Sequence, residues 1–167
     1  MGPLLRKSLV ILAIVASAIA LSIAAYAAYT IVLTMSKEVL QFNTLEAEVP
    51  KANFYRYDTG IRFSVVDPNT NALAMRFRVS FEGVELSNDA YVAIEIDSVD
   101  KDGNLFYVTS SEGKKVGNEF IVDVSFSCSH NKDFAIVLTA YGLKNIEENA
   151  KIILTVEEIV ASTKGYP

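Results

Sequence analysis

From Phe42 onward the sequence places apolar residues at every second position, with mostly polar residues between them. A period of two is the pattern of a β-strand with one buried face, because successive side chains point to opposite sides of a sheet. The rows predicted to face inward are Leu45, Ala47 and Val49; Ile61, Phe63 and Val65; Met75, Phe77, Val79 and Phe81; Val92, Ile94 and Ile96; Phe120, Val122, Val124 and Phe126; and Phe134, Ile136, Leu138 and Ala140. No segment beyond residue 36 carries a helical stripe. The pattern predicts an all-β fold, an antiparallel β-sandwich or jelly roll of about eight strands, for residues 38–167.

Turn signals separate these strands. The stretch "DPNTN" (Asp67–Asn71) is a predicted turn, because Pro68 fixes φ and asparagine tolerates left-handed backbone. The stretch "DKDGN" (Asp100–Asn104) predicts a tight hairpin leading into Leu105–Thr109. "SSEGKKVGN" is predicted to be a loop, and "GLKNIEEN" (Gly142–Asn149) connects to a long last strand, "AKIILTVEEIVA".

The N-terminus has the layout of a secretory signal peptide. Arg6 and Lys7 form a positive n-region, and Leu9–Ile23 is an apolar h-region. Ala25 and Ala27 supply the small residues that signal peptidase recognises at the −3 and −1 positions. We therefore expect cleavage after residue 27, export across the membrane and a secreted mature chain.

The sequence changes character just after this site. Alanine and leucine dominate before it and favour a helix, whereas β-branched residues become frequent after it. Tyr29, Ile31, Leu33 and Met35 are apolar at a spacing of two, with Thr30, Val32 and Thr34 between them. Residues 28–37 are therefore predicted to form a strand with one apolar face.

Two other interpretations of the N-terminus stay open. Leu9–Met35 could remain one uncut apolar helix, long enough to anchor a surface β-sandwich in a bilayer. Alternatively, "RKS" before the apolar stretch is similar to the processing site of type IV pilin-like proteins, which retain the helix as a filament core. The first residue of the mature chain distinguishes these possibilities. A chain that begins at Ala28 favours the N-terminal strand, and one that begins at Leu9 favours a pilin.

Charge and catalytic residues limit the possible functions. The net charge is −5, and the part after residue 27 carries 13 basic and 20 acidic residues without a basic stripe. Nucleic acid is therefore not an expected partner. The chain has one histidine and lacks HExxH, GxSxG, P-loop and GxGxxG motifs. We expect no enzymatic activity and no cofactor.

A few polar and aromatic residues have simpler structural interpretations. Cys128 and His130 do not have the spacing of a metal pair, and Cys128 is expected to fill space at a strand end. The tyrosines at positions 55, 57, 91, 107 and 141 are scattered over several elements and are interpreted as packing on sheet faces. Four residues near the predicted hairpin could ligate Ca²⁺, namely Asp97, Asp100, Asp102 and Asn104. An EF-hand loop that began at Asp100 would need Gly at its sixth position and Glu at its twelfth. Those positions hold Leu105 and Ser111, so a hairpin turn is preferred to an EF-hand.

The order of these features resembles the TasA/camelysin-like biofilm-filament proteins and their archaeal bundling-pilus relatives. Small residues beside an aromatic ("AYAAY") precede a short apolar segment ("TIVLTM") and a Phe-led strand ("FNTLEAEV"). A strand–turn–strand unit follows ("IRFSVVDPNTNALAMRFRVSF"), and the chain closes with "AIVLTAYGLKNIEENAKIILTVEEIVAS".

This resemblance implies a jelly-roll subunit of an extracellular filament that polymerises by donor-strand exchange. Residues 28–37, with the apolar row Tyr29, Ile31, Leu33 and Met35, would then complete the sheet of the next copy in a head-to-tail homopolymer. Camelysin members carry a metallopeptidase label, and that activity is not expected here because a zinc peptidase needs more histidines than this chain has.

Overall fold

The computed structural model describes residues 39–129 and 132–164, and these form ten β-strands. The strands are β1 (Leu40–Phe42), β2 (Glu46–Glu48), β3 (Phe54–Val65), β4 (Ala72–Glu82), β5 (Glu85–Val99), β6 (Leu105–Glu112), β7 (Lys114–Val116), β8 (Glu119–Ser127), β9 (Asp133–Lys144) and β10 (Lys151–Ser162). Within these two ranges there is no helix long and apolar enough to cross a membrane. The predicted signal peptide (1–27) and N-terminal strand (28–37) lie outside the described residues.

The strands form two five-stranded sheets that pack face to face. The first sheet has the order β1-β3-β9-β5-β6 and the second has the order β2-β10-β4-β8-β7. Every strand pair is antiparallel. The prediction of an all-β antiparallel sandwich is therefore confirmed.

The core lies between the sheets and is built from the alternating rows. Buried aromatic rings from both sheets meet near the end of the sandwich where β8 ends and β9 begins, and there Phe63 stacks on Phe134 with ring centroids 5.2 Å apart. Phe126 from the second sheet contacts Phe134 at 5.2 Å between centroids. Because every inward row predicted for β4, β5, β8 and β9 is buried, the period of two identified the core faces of those strands correctly.

The strand count is ten instead of about eight for two local reasons. The segment predicted as one strand, "FNTLEAEV", is divided between the two sheets, β1 pairing with β3 and β2 with β10. The division occurs at Asn43, whose side-chain Oδ1 accepts hydrogen bonds from the backbone N–H groups of Thr44 (2.8 Å) and Arg62 (2.7 Å). The segment predicted as a loop, "SSEGKKVGN", contains the end of β6 and the short strand β7, which pairs with β8.

Both predicted turns are present. In the first, the Thr70 N–H donates to the Asp67 carbonyl oxygen at 3.3 Å. In the second, the Gly103 N–H donates to the Asp100 carbonyl oxygen at 3.0 Å, and Gly103 has a φ of 82° that favours glycine. Asp100 and Asn104 close the hairpin between β5 and β6.

The outer face of the second sheet is covered with ion pairs. Arg76 on the central strand β4 pairs with Asp123 of β8 at 2.7 Å. Arg78 lies between Glu119 of β8 and Glu157 of β10, at 2.5 Å from each carboxylate. These partly exposed pairs tie three neighbouring strands together and leave this face polar.

Candidate functional site

The residues that the sequence assigns to polymerisation and processing lie outside the described part of the chain. They are Tyr29, Ile31, Leu33 and Met35 for polymerisation, and Ala25 and Ala27 for signal-peptidase recognition. His130 also lies outside it. The described residues define instead which sheet edges are available to receive a strand.

The edge of β10 is only partly covered. This strand has 12 residues, and β2 pairs with the first three of them, Lys151, Ile152 and Ile153. The Leu154 N–H then donates to the Leu45 carbonyl oxygen at 2.9 Å. From residue 155 to residue 162, no described strand pairs with this side of β10, while β4 pairs along the other side. We call residues 155–162 the open edge of β10.

Other sheet edges are also only partly covered. In the first sheet, β1 pairs with just the last three residues of β3, and the Asn43 side chain extends this cover, its Nδ2 donating to the Gly60 carbonyl oxygen at 2.9 Å. In the second sheet, β7 pairs with just the first three residues of β8. On that side of the sandwich, β6 packs against β8 and leads through Gly113 into β7, so one continuous segment lies across both sheets. We take the open edge of β10 as the candidate site for strand addition because it is a long stretch that borders the core.

The open edge borders the hydrophobic core. Val156 and Ile159 face inward and are buried, as parts of the core cluster. Val160 points outward on the same edge and is 53% exposed. A β-bulge at Glu157, between Val156 and Glu158, shifts the register with β4. An added strand with one apolar face could extend the row formed by the two buried residues.

The proposed Ca²⁺ ligands do not converge. Asp100 uses its carboxylate within the turn. Asn104 Nδ2 donates to its Oδ2 at 2.9 Å, and the backbone N–H groups of Asn104 (2.8 Å) and Asp102 (2.9 Å) donate to its Oδ1. These bonds, the first above all, lower the pKa of Asp100. Asp97 is fully buried and bonds to Arg56. Among the described residues, no group of three or more acidic, histidine or cysteine side chains is placed to hold a metal ion.

Asp97 is the buried member of a partly exposed charge cluster on the first sheet. Arg56 Nη2 donates to Asp97 Oδ2 at 2.6 Å, and Arg56 Nε donates to Glu95 Oε1 at 2.9 Å. Arg56 reaches both carboxylates from a left-handed backbone conformation with a φ of 52°. Asp97 Oδ1 is buried without a hydrogen-bond partner among the described residues. Burial, reinforced by the nearby Glu95, raises the pKa of Asp97 to about 6.

This raised pKa predicts how stability depends on pH. The native state keeps the Asp97 proton up to about pH 6, whereas the unfolded chain releases it near the ordinary value of 3.8. The contribution of Asp97 to the free energy of unfolding is therefore full below pH 4 and is lost as the pH rises to 6, by at most about 1.4 kcal/mol per pH unit. The variant Asp97→Asn should not show this loss.

The measurement is urea unfolding between pH 4 and pH 8. The free energy of unfolding of Asp97→Asn relative to the unmodified chain should rise across the interval from pH 4 to pH 6. Asp102→Asn, in the exposed hairpin, is the matched control and should leave the pH profile unchanged. Parallel profiles for Asp97→Asn and the unmodified chain would contradict the prediction.

Three tyrosines from three adjacent strands share one surface. Tyr55 on β3, Tyr141 on β9 and Tyr91 on β5 line a depression of about 440 Å³ on the outer face of the first sheet. We call these three residues the tyrosine surface. Tyr91 and Tyr141 are directly paired across the strands, with ring centroids 6.0 Å apart. Tyr55 is 77% exposed and Tyr141 is 44% exposed.

From the sequence, the tyrosines are interpreted as scattered over several elements and packing on sheet faces. Tyr91 and Tyr141 do pack against each other on a sheet face, but the three residues of the tyrosine surface line one depression and are not scattered. The packing interpretation also holds for Tyr57, which packs against the core and contacts Phe54 at 5.2 Å between ring centroids. The tyrosine surface arises from the strand order β3-β9-β5, which brings together residues that are far apart in sequence. Cys128, at the end of β8, packs against the core as expected, and burial raises its pKa.

No protein-family model matches this chain, and no curated protein sequence does either. Among solved structures, the chain is similar to a carbohydrate-binding module specific for non-crystalline cellulose, at 6% identity and a TM-score of 0.32, over 59% of this chain and 66% of that one. It is also similar to the EclA C-terminal domain, a sugar-binding protein, at 6% identity and a TM-score of 0.31, over 74% of this chain and 76% of that one. At TM-scores this low, the alignments say nothing about the fold or ligand of this chain.

Proposed function

We propose that this chain is a structural subunit of an extracellular filament, whose N-terminal strand completes the sheet of a neighbouring copy. The observation that carries the proposal is the open edge of β10. It borders the core, and no described strand pairs with it on the side away from β4. In this scheme residues 1–27 are removed during export, and residues 28–37 pair with the open edge of the next subunit. The sandwich would serve as the jelly-roll domain of a TasA-like filament.

The open edge of β10 and the N-terminal strand match each other in length and in chemistry. At about 3.3 Å per residue, the open edge is roughly 26 Å long and the seven residues from Tyr29 to Met35 span roughly 23 Å. Burying four apolar side chains contributes roughly 6–12 kcal/mol, at about 1.5–3 kcal/mol each, before the entropy lost on association is subtracted. A head-to-tail contact between different surfaces of identical subunits generates a fibre when its rotation does not close a ring, and the proposal requires that open geometry.

A peptide of residues 28–36 provides the test. Added to purified subunits before assembly, it should occupy the open edge and suppress filament growth, measured by light scattering and electron microscopy. The matched control is the same peptide with Ile31→Asp and Leu33→Asp, which should not inhibit growth because its apolar face is broken. Equal inhibition by both peptides, or by neither, would contradict strand exchange.

The first residue of the native subunit separates this proposal from a pilin-like filament. Strand exchange requires a mature chain that begins at Ala28, whereas a retained helical core requires one that begins at Leu9. Intact-mass measurement of subunits from native filaments distinguishes the two. A chain that keeps its whole leader and stays monomeric in the membrane would instead be an anchored surface protein. The proposed role is structural, and it requires no catalytic group or cofactor.

A further inference from the structure

We propose that the tyrosine surface is a binding site for a neutral saccharide chain. The proposal depends on the outer face of the first sheet, which lies away from the open edge of β10 in the second sheet. It therefore stands or falls independently of the filament function.

The first support is the size and rigidity of the site. The open depression, at about 440 Å³, lies within the range of about 300–1,000 Å³ that small-molecule sites occupy. Adjacent strands, β3, β9 and β5, carry the three tyrosines, and the Tyr91 and Tyr141 rings are in contact, so these two rings are positioned before any ligand arrives. Such preorganisation reduces the entropy that binding would otherwise cost.

The second support is the contrast between the two outer faces of the sandwich. Both outer faces carry arginines paired with carboxylates. The face of the first sheet also exposes aromatic rings that line one depression, with Tyr55 at 77% exposure. Exposed aromatic side chains that converge on one depression mark a surface suited to a ligand with an apolar side.

The third support is the mixture of apolar and polar groups. Glu95, Ser110 and Thr139 line the same depression as the rings. A sugar ring has an apolar C–H face that can lie on a tyrosine, and hydroxyl groups at its rim that can bond to carboxylate and hydroxyl oxygens. Arg56 holds the Glu95 carboxylate in place at 2.9 Å, so a fixed hydrogen-bond acceptor lies beside the rings.

Charged ligands fit this site less well. An acidic sugar would meet Glu95 on a chain whose net charge is −5. A quaternary ammonium group needs separated aromatic walls around it. Tyr91 and Tyr141 contact each other instead, with centroids 6.0 Å apart and planes inclined by 35°. These two rings lie side by side, so the apolar face of a sugar ring can lie against them.

Tyrosine fluorescence can test the proposal directly, because the chain contains no tryptophan. The purified mature protein would be titrated with neutral hexasaccharides of glucose, mannose, galactose and xylose, and with hexagalacturonate and tetramethylammonium chloride. At least one neutral hexasaccharide should bind with a Kd below about 1 mM. Tyr55→Ala and Tyr141→Ala should each weaken that binding about tenfold, while Tyr55→Phe retains it.

Phe106→Ala is the matched control, since Phe106 is an aromatic residue that is 54% exposed but does not line the depression. It should bind as the unmodified chain does. Because the Tyr55 side chain is so exposed, Tyr55→Ala should keep the native circular dichroism spectrum. The proposal is overturned if no neutral hexasaccharide binds, if Tyr55→Ala binds as well as the unmodified chain, or if either charged probe binds more tightly than every neutral one.

Discussion

A chain carrying Ile31→Asp and Leu33→Asp is expected to be secreted and folded but unable to form filaments. The two substitutions remove two of the four apolar side chains that would enter the neighbouring subunit, at a loss of about 3–6 kcal/mol. Placing carboxylates beside the buried row of the open edge adds a further desolvation penalty. Assembly should therefore weaken by at least about 10²–10⁴-fold, which electron microscopy and sedimentation would record as monomers.

The matched control places the same two charges on the other face of the same strand. Thr30→Asp with Thr34→Asp should still form filaments, because these alternating positions would face solvent after strand addition. Circular dichroism of the chain with Ile31→Asp and Leu33→Asp tests the competing interpretation, in which the strand packs within its own subunit. If that chain fails to fold, residues 29–35 belong to the core of their own subunit, and if it still polymerises, another contact holds the filament together.

The second large effect is expected in the core. Phe63→Ala should lower the free energy of unfolding by about 3–5 kcal/mol, because a fully buried ring would be replaced by a cavity. Phe63 stacks on Phe134 at 5.2 Å and meets the Phe126 ring of the opposite sheet at 6.4 Å, so its loss affects both sheets. Urea unfolding followed by circular dichroism measures the change.

Phe106→Ala serves as the control for this substitution as well. Its ring is largely exposed on β6, so the free energy of unfolding should change by less than about 0.5 kcal/mol. Similar losses for the two phenylalanine variants would mean that the paired rings between the sheets do not hold the sandwich together.

The fold could be predicted from the sequence wherever a strand has one buried face. The rows around Phe77, Ile94 and Val122 alternate without interruption, and each row is buried. The N-terminal part of β3 was missed, because backbone irregularities near Arg56 and Gly60 disturb the alternation there. A period of two can only be recognised where the strand is regular.

The features that depend on distant contacts could not be predicted in this way. The division between β1 and β2 requires Asn43 to bond with Arg62, which is 19 positions away. The tyrosine surface requires Tyr91 to pair with Tyr141, and the register between those strands is set by the whole sheet. Sequence spacing shows which residues face one way along a strand, but not which strands become neighbours.

The open edge of β10 also depends on contacts between distant parts of the chain. The sequence predicts a long apolar terminal strand, and Val156 and Ile159 are both buried although they are three residues apart, because the β-bulge at Glu157 shifts the alternation by one residue. That β2 covers only the first three residues of this strand follows from where the chain crosses between sheets. The apolar row of residues 29–35 and a partly covered edge in the described sandwich were therefore found independently, and the proposed function rests on their combination.

A cryo-electron microscopy map of native filaments tests the central claim most directly. The account predicts an extra strand along residues 155–162 of every subunit, with its density continuing into the sandwich of the adjacent copy. The side chains of that strand should fit Tyr29, Ile31, Leu33 and Met35 on its inner face. A filament held together by a bundle of N-terminal helices, or a β10 edge left unpaired, would contradict it.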